Sequence, residues 1–349
     1  MFGAYGHTGR FVVAELVARG FRPVLSGRDA SALAELAGAT GLAARTASVD
    51  DPNSLDRALA GTAAVINCAG PFAATTGPLI EAALRAGIPY LDVAAEIEAN
   101  LDTFAHFAER ARDAGALVVP AMAFFGGLGD LLVTAAMSDW TGADEAHIAY
   151  GLSHWHPTAG TRLSGAVSRE RRGDHRLRFR GGRWERRTDA APTLEWAFPE
   201  PLGRRPVIGE FTMADVVTVP QHLAIPDVTT YMTSGAARDV VSPDTPAPTA
   251  AGSTDATHGR SDQTFVVDVV VRSGGEERRA TAHGQDIYAV TAPLVVEALA
   301  RVLDGRTRAV GVTPAGALFD APDFLRALAP HVTTDLAPAD PAAGPRPRP

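Results

Sequence analysis

Three glycines spaced by three, Gly3, Gly6 and Gly9, open the chain in the stretch GAYGHTGR, followed at once by an amphipathic run ending at Gly20. Glycines at this spacing let backbone N–H groups approach a pyrophosphate where a helix begins, and the helix dipole favours its charge. Tyr5, His7, Thr8 and Arg10 lie within or beside the turn and shape it. A strand-like run then ends at Ser26-Gly27-Arg28, the position where an NAD site carries Asp or Glu for the ribose 2′-hydroxyl. A hydroxyl and a guanidinium suit a 2′-phosphate, so the expected cofactor is NADP(H). Asp50, closing the next strand-like run, would either lie beside the adenine or cap a helix over 52–60.

Hydride transfer also needs a group that gives or takes a proton. Asp92 and Glu96 flank the end of the run IPYLDVA, at the sheet edge where ligands collect. They would bind a substrate amine or move a proton; alternatively, Glu96 caps a helix and Asp92 bonds backbone. His154 and His156, in SHWHP, would share a strand face, with His154 as a candidate proton donor. With no third ligand at a persuasive spacing, no metal site is expected. His222, in VPQHL, is a further acid–base candidate. Cys68 is the only cysteine and reads as a buried strand thiol. Nine arginines between Arg169 and Arg187 read as a solvated strand face, or else as a cradle for an anionic substrate group. The chain has no lysine, which removes Schiff-base and ammonium chemistry.

The elements that position these residues alternate strand and helix through the first 128 residues: strands at 22–27, 43–49, 63–69, 88–94 and 116–122, with helices between and Pro78 in a first helical turn. The fold class is α/β, a doubly wound (Rossmann) parallel sheet with an inserted antiparallel α+β second domain. That second domain spans 129–285, for substrate or dimerisation, and starts with a helix over 129–139. Its strands are HRLRFR-GG-RWERR as a hairpin, 214–219, 227–233, 264–272 and 277–284. Residues 242–262 are expected to be a mobile loop, 286–334 to return to the first domain through a helix over 288–303, and 335–349 to be a disordered tail.

Four motifs in order, GAYGHTGR, SGR, VINCAGPF (65–72) and GIPYLDVAAE (87–96), resemble the saccharopine dehydrogenase-like NAD(P)-binding family over roughly the first 130 residues. The second half resembles bacterial members more loosely, through TMADVVTVPQHL and the closing helix. The resemblance implies that Asn67, Cys68, Ala69, Gly70, Pro71 and Phe72 run over the cofactor's pyrophosphate and nicotinamide ribose. It also implies an NADP(H)-dependent oxidoreductase of a small metabolite, reducing a C=N bond or oxidising the amine. The alternatives are a trans-acting enoyl reductase and a non-catalytic NADP-binding sensor.

A net charge of −8 argues against nucleic acid or a membrane surface as partner. A lone cysteine, no long apolar run and no leader-like segment point to the cytoplasm, and the antiparallel sheet offers a face for a homodimer. Relatives carry a full strand before the glycine turn, whereas only Met1 and Phe2 precede it here. The natural protein is therefore expected to start upstream; failing that, Met1 and Phe2 form a stub, and another segment or water fills the gap.

Overall fold

The computed structural model describes residues 1–173, 175–248, 259–307 and 309–336. Its first half winds α1 (His7–Ala18), β1 (Leu25–Gly27), α2 (Ala30–Thr40), β2 (Ala44–Thr46), α3 (Pro52–Leu59), β3 (Val65–Asn67), α4 (Phe72–Ala86), β4 (Tyr90–Asp92), α5 (Ile97–Asp113) and β5 (Leu117–Val119). All strand pairs here are parallel. Phe2 takes the central strand position, bridging Ser26 on one side and Asn67 on the other. Its N–H donates to the Ile66 carbonyl and its carbonyl accepts from Cys68, so a two-residue stub joins the two parts of the sheet. Each of the five expected strands appears as a three-residue strand inside the expected run.

Glycine is required where the turn folds back on the sheet. Gly3 has φ +77°, and a Cβ there would lie 2.8 Å from the Ala69 nitrogen; a Cβ on Gly9 would collide with the Gly3 carbonyl oxygen. Asp51, not Asp50, caps α3, accepting from Asn53 and Ser54; Asp50 meets only Ser48. Pro78 falls inside α4 rather than in its first turn. That helix starts earlier than the proline suggests because Glu96 captures the amides of Phe72 and Ala73.

A buried turn, Phe124–Leu128, leads into α6 (Gly129–Met137) and a second sheet. It is built from β6 (Glu145–Leu152), then, past α7 (Ala159–Arg172), β7 (Arg176–Arg180), β8 (Arg183–Arg187), β9 (Thr193–Ala197) and β10 (Arg204–Gly209). After α8 (Asp215–Thr218) come β11 (Asp227–Thr233), α9 (Ser234–Val241), β12 (Thr264–Ser273) and β13 (Glu276–Gln285). The sheet is antiparallel except for β6–β11, which run parallel, so it is mixed. The expected strand over 214–219 is instead α8 and a 3₁₀ turn, Val219–Gln221. Asp215, Val216, Val217 and Val219 are all buried, so the segment is enclosed on every side and tertiary packing overrides the β-branched preference.

The chain returns through α10 (Thr291–Leu303), which packs on α1, β14 (Gly311–Val312), paired with β5, and then α11 (Ala315–Leu318), α12 (Ala321–Ala327) and β15 (Val332–Leu336). β15 pairs with β13, which places residues 335 and 336 in the sheet rather than in the tail. The rest of the tail lies outside the described residues. Of the expected mobile loop, 249–258 lie outside them too; on its far flank Ser261 is buried, its amide donating to Asp286. No helix among the described residues is long and apolar enough to cross a membrane.

Candidate functional site

The glycine turn, the end of β1 and the loop after β3 converge on one edge of the parallel sheet. Among the described residues, the amides of His7, Thr8 and Gly70 have no acceptor. These are groups a pyrophosphate satisfies at the N-terminus of α1, which carries no side-chain cap. Tyr5 braces the turn against β1: its hydroxyl accepts from the Asp29 amide, and its ring lies where a Cβ of Gly27 would be. Arg10 donates from Nε to the Tyr5 carbonyl.

Arg28 projects from the end of β1 into solvent with no ion pair or hydrogen bond among the described residues. The Ser26 hydroxyl does not accompany it. Buried in the sheet, it donates to the Arg45 carbonyl at 2.8 Å, so of these two residues only Arg28 is open to a 2′-phosphate.

Asn67 shapes the loop from beneath rather than facing outward. Fully buried, it donates to Thr75 and the Tyr90 hydroxyl and accepts from the Ala69 amide. Burial pushes the Cys68 thiol well up, which keeps it inert. Phe72 is buried. Gly70 is the exposed residue of this loop, between half-buried Ala69 and Pro71, and Ser164 of α7 sits 2.6 Å from the place a Gly70 Cβ would take.

Most acid–base candidates are already engaged by other protein groups. Asp92 is fully buried and accepts from Tyr90, Ala94 and Ala121; burial raises its pKa to about 6 against those bonds. Both Glu96 oxygens hold the start of α4, so it caps the helix before it in sequence rather than the one after. His222 Nε2 lies 2.7 Å from Asp130 Oδ1 at the junction of α6 and α11. Burial opposes the charged ring there, but the Asp130 carboxylate outweighs it and raises the pKa. His154 stacks on His156 at 4.2 Å and meets Asp262 through Nε2 at 3.0 Å. Among the described residues, no three His, Cys, Asp or Glu side chains gather as a metal site.

Arg176 and Arg178 are engaged rather than open. Both reach Glu210, with Asp189 and Glu185 as second partners, which leaves no bidentate cradle. Sequence reasoning missed Asp215, fully buried against the Tyr150 hydroxyl, with its pKa raised by burial to about 7. It also missed Tyr288, whose ring meets His7 edge-on at 5.2 Å. Asp215 lies within TMADVVTVPQHL and Tyr288 opens the run over 288–303, but neither stands out there by residue type or spacing.

Open amides at a helix start, glycines that leave room for a phosphate and a free guanidinium at the end of β1 define a dinucleotide-binding α/β protein with a second, mixed-sheet domain. The family model described as the saccharopine dehydrogenase NADP-binding domain matches residues 1–119. A probable mitochondrial saccharopine dehydrogenase-like oxidoreductase of Arabidopsis thaliana is 32% identical over 140 residues, 36% of this chain and 31% of the plant protein. The alignment thus spans about a third of that relative. The solved apo saccharopine dehydrogenase (L-Glu forming) of Saccharomyces cerevisiae shares the fold over 94% of this chain and 95% of its own, with a TM-score of 0.62 at 13% identity. In sequence the first third of the chain is thus similar to a saccharopine dehydrogenase NADP-binding domain, and in fold the chain is similar to the yeast enzyme over nearly its whole length.

Proposed function

We propose that this chain is an NADP(H)-dependent oxidoreductase that reduces the C=N bond of a small imine or iminium, or oxidises the corresponding amine. The observation that carries the cofactor reading is the pairing of amides at His7, Thr8 and Gly70 that are open among the described residues with the exposed Arg28 at the end of β1. When bound, NADP(H) supplies or accepts the hydride. The chain's own residues seat the pyrophosphate, hold the 2′-phosphate and keep the loop over 68–72 in place through Asn67 and Glu96.

Asp92, Glu96 and His222 are each held by buried structural contacts. The proton therefore falls to His154, whose imidazole is paired with Asp262 in a partly exposed position. The reaction class rests on the resemblance to saccharopine dehydrogenase-like proteins, and a turnover screen tests it. NADPH and NADH are offered in parallel with cyclic imines, amine–ketoacid mixtures, ketones and enoyl thioesters. Accelerated NADPH oxidation with the imine class alone is the expected result. Turnover only with enoyl thioesters overturns the C=N assignment, and tight NADPH binding with no turnover in any class overturns the enzymatic one.

A further inference from the structure

The helix α7 crosses from the second domain onto the cofactor loop, yet its only buried residue is Ser168. Polar contacts at its two ends and a close approach in its middle hold it instead of an apolar core. Near its C-terminal end, Ser168 and Arg172 bind Glu98, and Arg171 binds Asp102, both acids on α5. In its middle, Ser164 overlies Gly70. At its N-terminal end the Thr158 amide and the Thr161 hydroxyl meet the Tyr288 hydroxyl, at 3.3 and 2.9 Å, and Trp155 Nε1 donates to the same oxygen at 3.1 Å.

Tyr288 is itself fixed. Asp286, buried and at φ +63°, accepts the amides of Tyr288, Ala289 and Ser261, which locks the turn carrying the ring. The ring then reaches His7, the first residue of α1, and His7 also packs edge-on with Phe11. One side chain thus touches the phosphate turn with its ring and the start of α7 with its hydroxyl. A helix docked by polar contacts is a low-stability element whose position such a contact can bias.

We propose that Tyr288 is a positioning residue that couples dinucleotide occupancy of the glycine turn to the docking of α7 over the Gly70 loop. The proposal rests on the reading that NADP(H) binds the turn. Bound pyrophosphate fixes the His7 backbone, the ring of Tyr288 is held against it, and the hydroxyl keeps the first turn of α7 seated beside the cofactor loop. Tyr288 does not itself exchange a proton in this scheme.

The test is hydrogen–deuterium exchange of the full chain with and without saturating NADPH, together with the NADPH Kd from fluorescence titration. In the wild type, NADPH is expected to slow exchange across 159–172 at least fivefold. Tyr288→Phe keeps the ring and removes the hub, so Kd should stay within threefold while the protection of α7 is lost. Tyr288→Leu should lose that protection and also weaken Kd about tenfold. Thr161→Val, which leaves the tyrosine intact and removes a partner on α7, should reproduce the Phe result if the hydroxyl hub is what matters. NADPH binding without protection of α7 in the wild type, or full protection in both Tyr288→Phe and Thr161→Val, overturns the proposal. Absence of NADPH binding in the wild type overturns the cofactor reading beneath it, and the proposal with it.

Discussion

Replacing Arg28 by Ala separates recognition from stability. The side chain is exposed and makes no ion pair or hydrogen bond among the described residues, so its loss should change folding stability by less than about 0.5 kcal/mol. In the complex it would give a 2′-phosphate charge-assisted hydrogen bonds, each worth roughly 1.5–3 kcal/mol. The site is open to water and salt, so the low end applies: about 2 kcal/mol, or roughly a thirtyfold rise in the NADPH Kd. NADH lacks the phosphate and is the internal control, with a Kd expected to move less than about twofold. Ser26 cannot compensate, because its hydroxyl is buried on the Arg45 carbonyl. Fluorescence titration of both cofactors at two salt concentrations, with melting curves in parallel, measures all of this. The NADPH penalty should shrink at higher salt. Equal weakening of NADPH and NADH, or a wild type that prefers NADH, would refute the assignment of Arg28 to the 2′-phosphate.

Gly9→Ala should weaken NADPH binding at least a hundredfold and destabilise the fold by about 1–3 kcal/mol, because the new Cβ meets the rigid carbonyls of Gly3 and Ala4. Gly20→Ala, at φ +83° with open space around it, should cost about 1 kcal/mol and leave Kd unchanged, so similar Kd values for the two variants would remove the turn from the site. Asp215→Asn reports on the buried carboxyl through pH. With its folded pKa raised to about 7, Asp215 is still protonated in the native state between pH 4 and 7, whereas the unfolded group has already ionised. Its contribution to stability is therefore fully present at low pH and falls by about 1.4 kcal/mol per pH unit through that window. Asn does not titrate, so the variant should gain about 2–3 kcal/mol on the wild type between pH 5 and 7; parallel urea-denaturation midpoints across that range would exclude the shifted carboxyl.

Local rules made the cofactor half of this protein legible. Glycines at a fixed spacing, a following apolar stripe and a basic residue closing the next strand each act through their immediate neighbours, so they can be read without the rest of the chain. The β7–β8 hairpin was equally open to reading, because Gly181 and Gly182 supply its positive φ angles directly. Phe2 was harder: two residues looked too few for a strand, and only the flanking β1 and β3 show that they bridge the sheet's centre.

Long-range burial decided the rest. VVTV reads as a strand until the layers on every side of it enclose a helix. Asp92, Glu96 and His222 are chemically suited to proton transfer by residue type, but apart from Tyr90 and the Ala94 amide beside Asp92 their partners lie 23 to 92 positions away. A buried carboxylate must satisfy its polar atoms inside the protein, and the distant groups that do so for Asp92 and Glu96 come together only in the fold. Conversely, Tyr288 looks like one more helix-flanking aromatic in the sequence. Its place between His7 and α7 exists only because α10 packs on α1 and brings residue 288 back to residue 7.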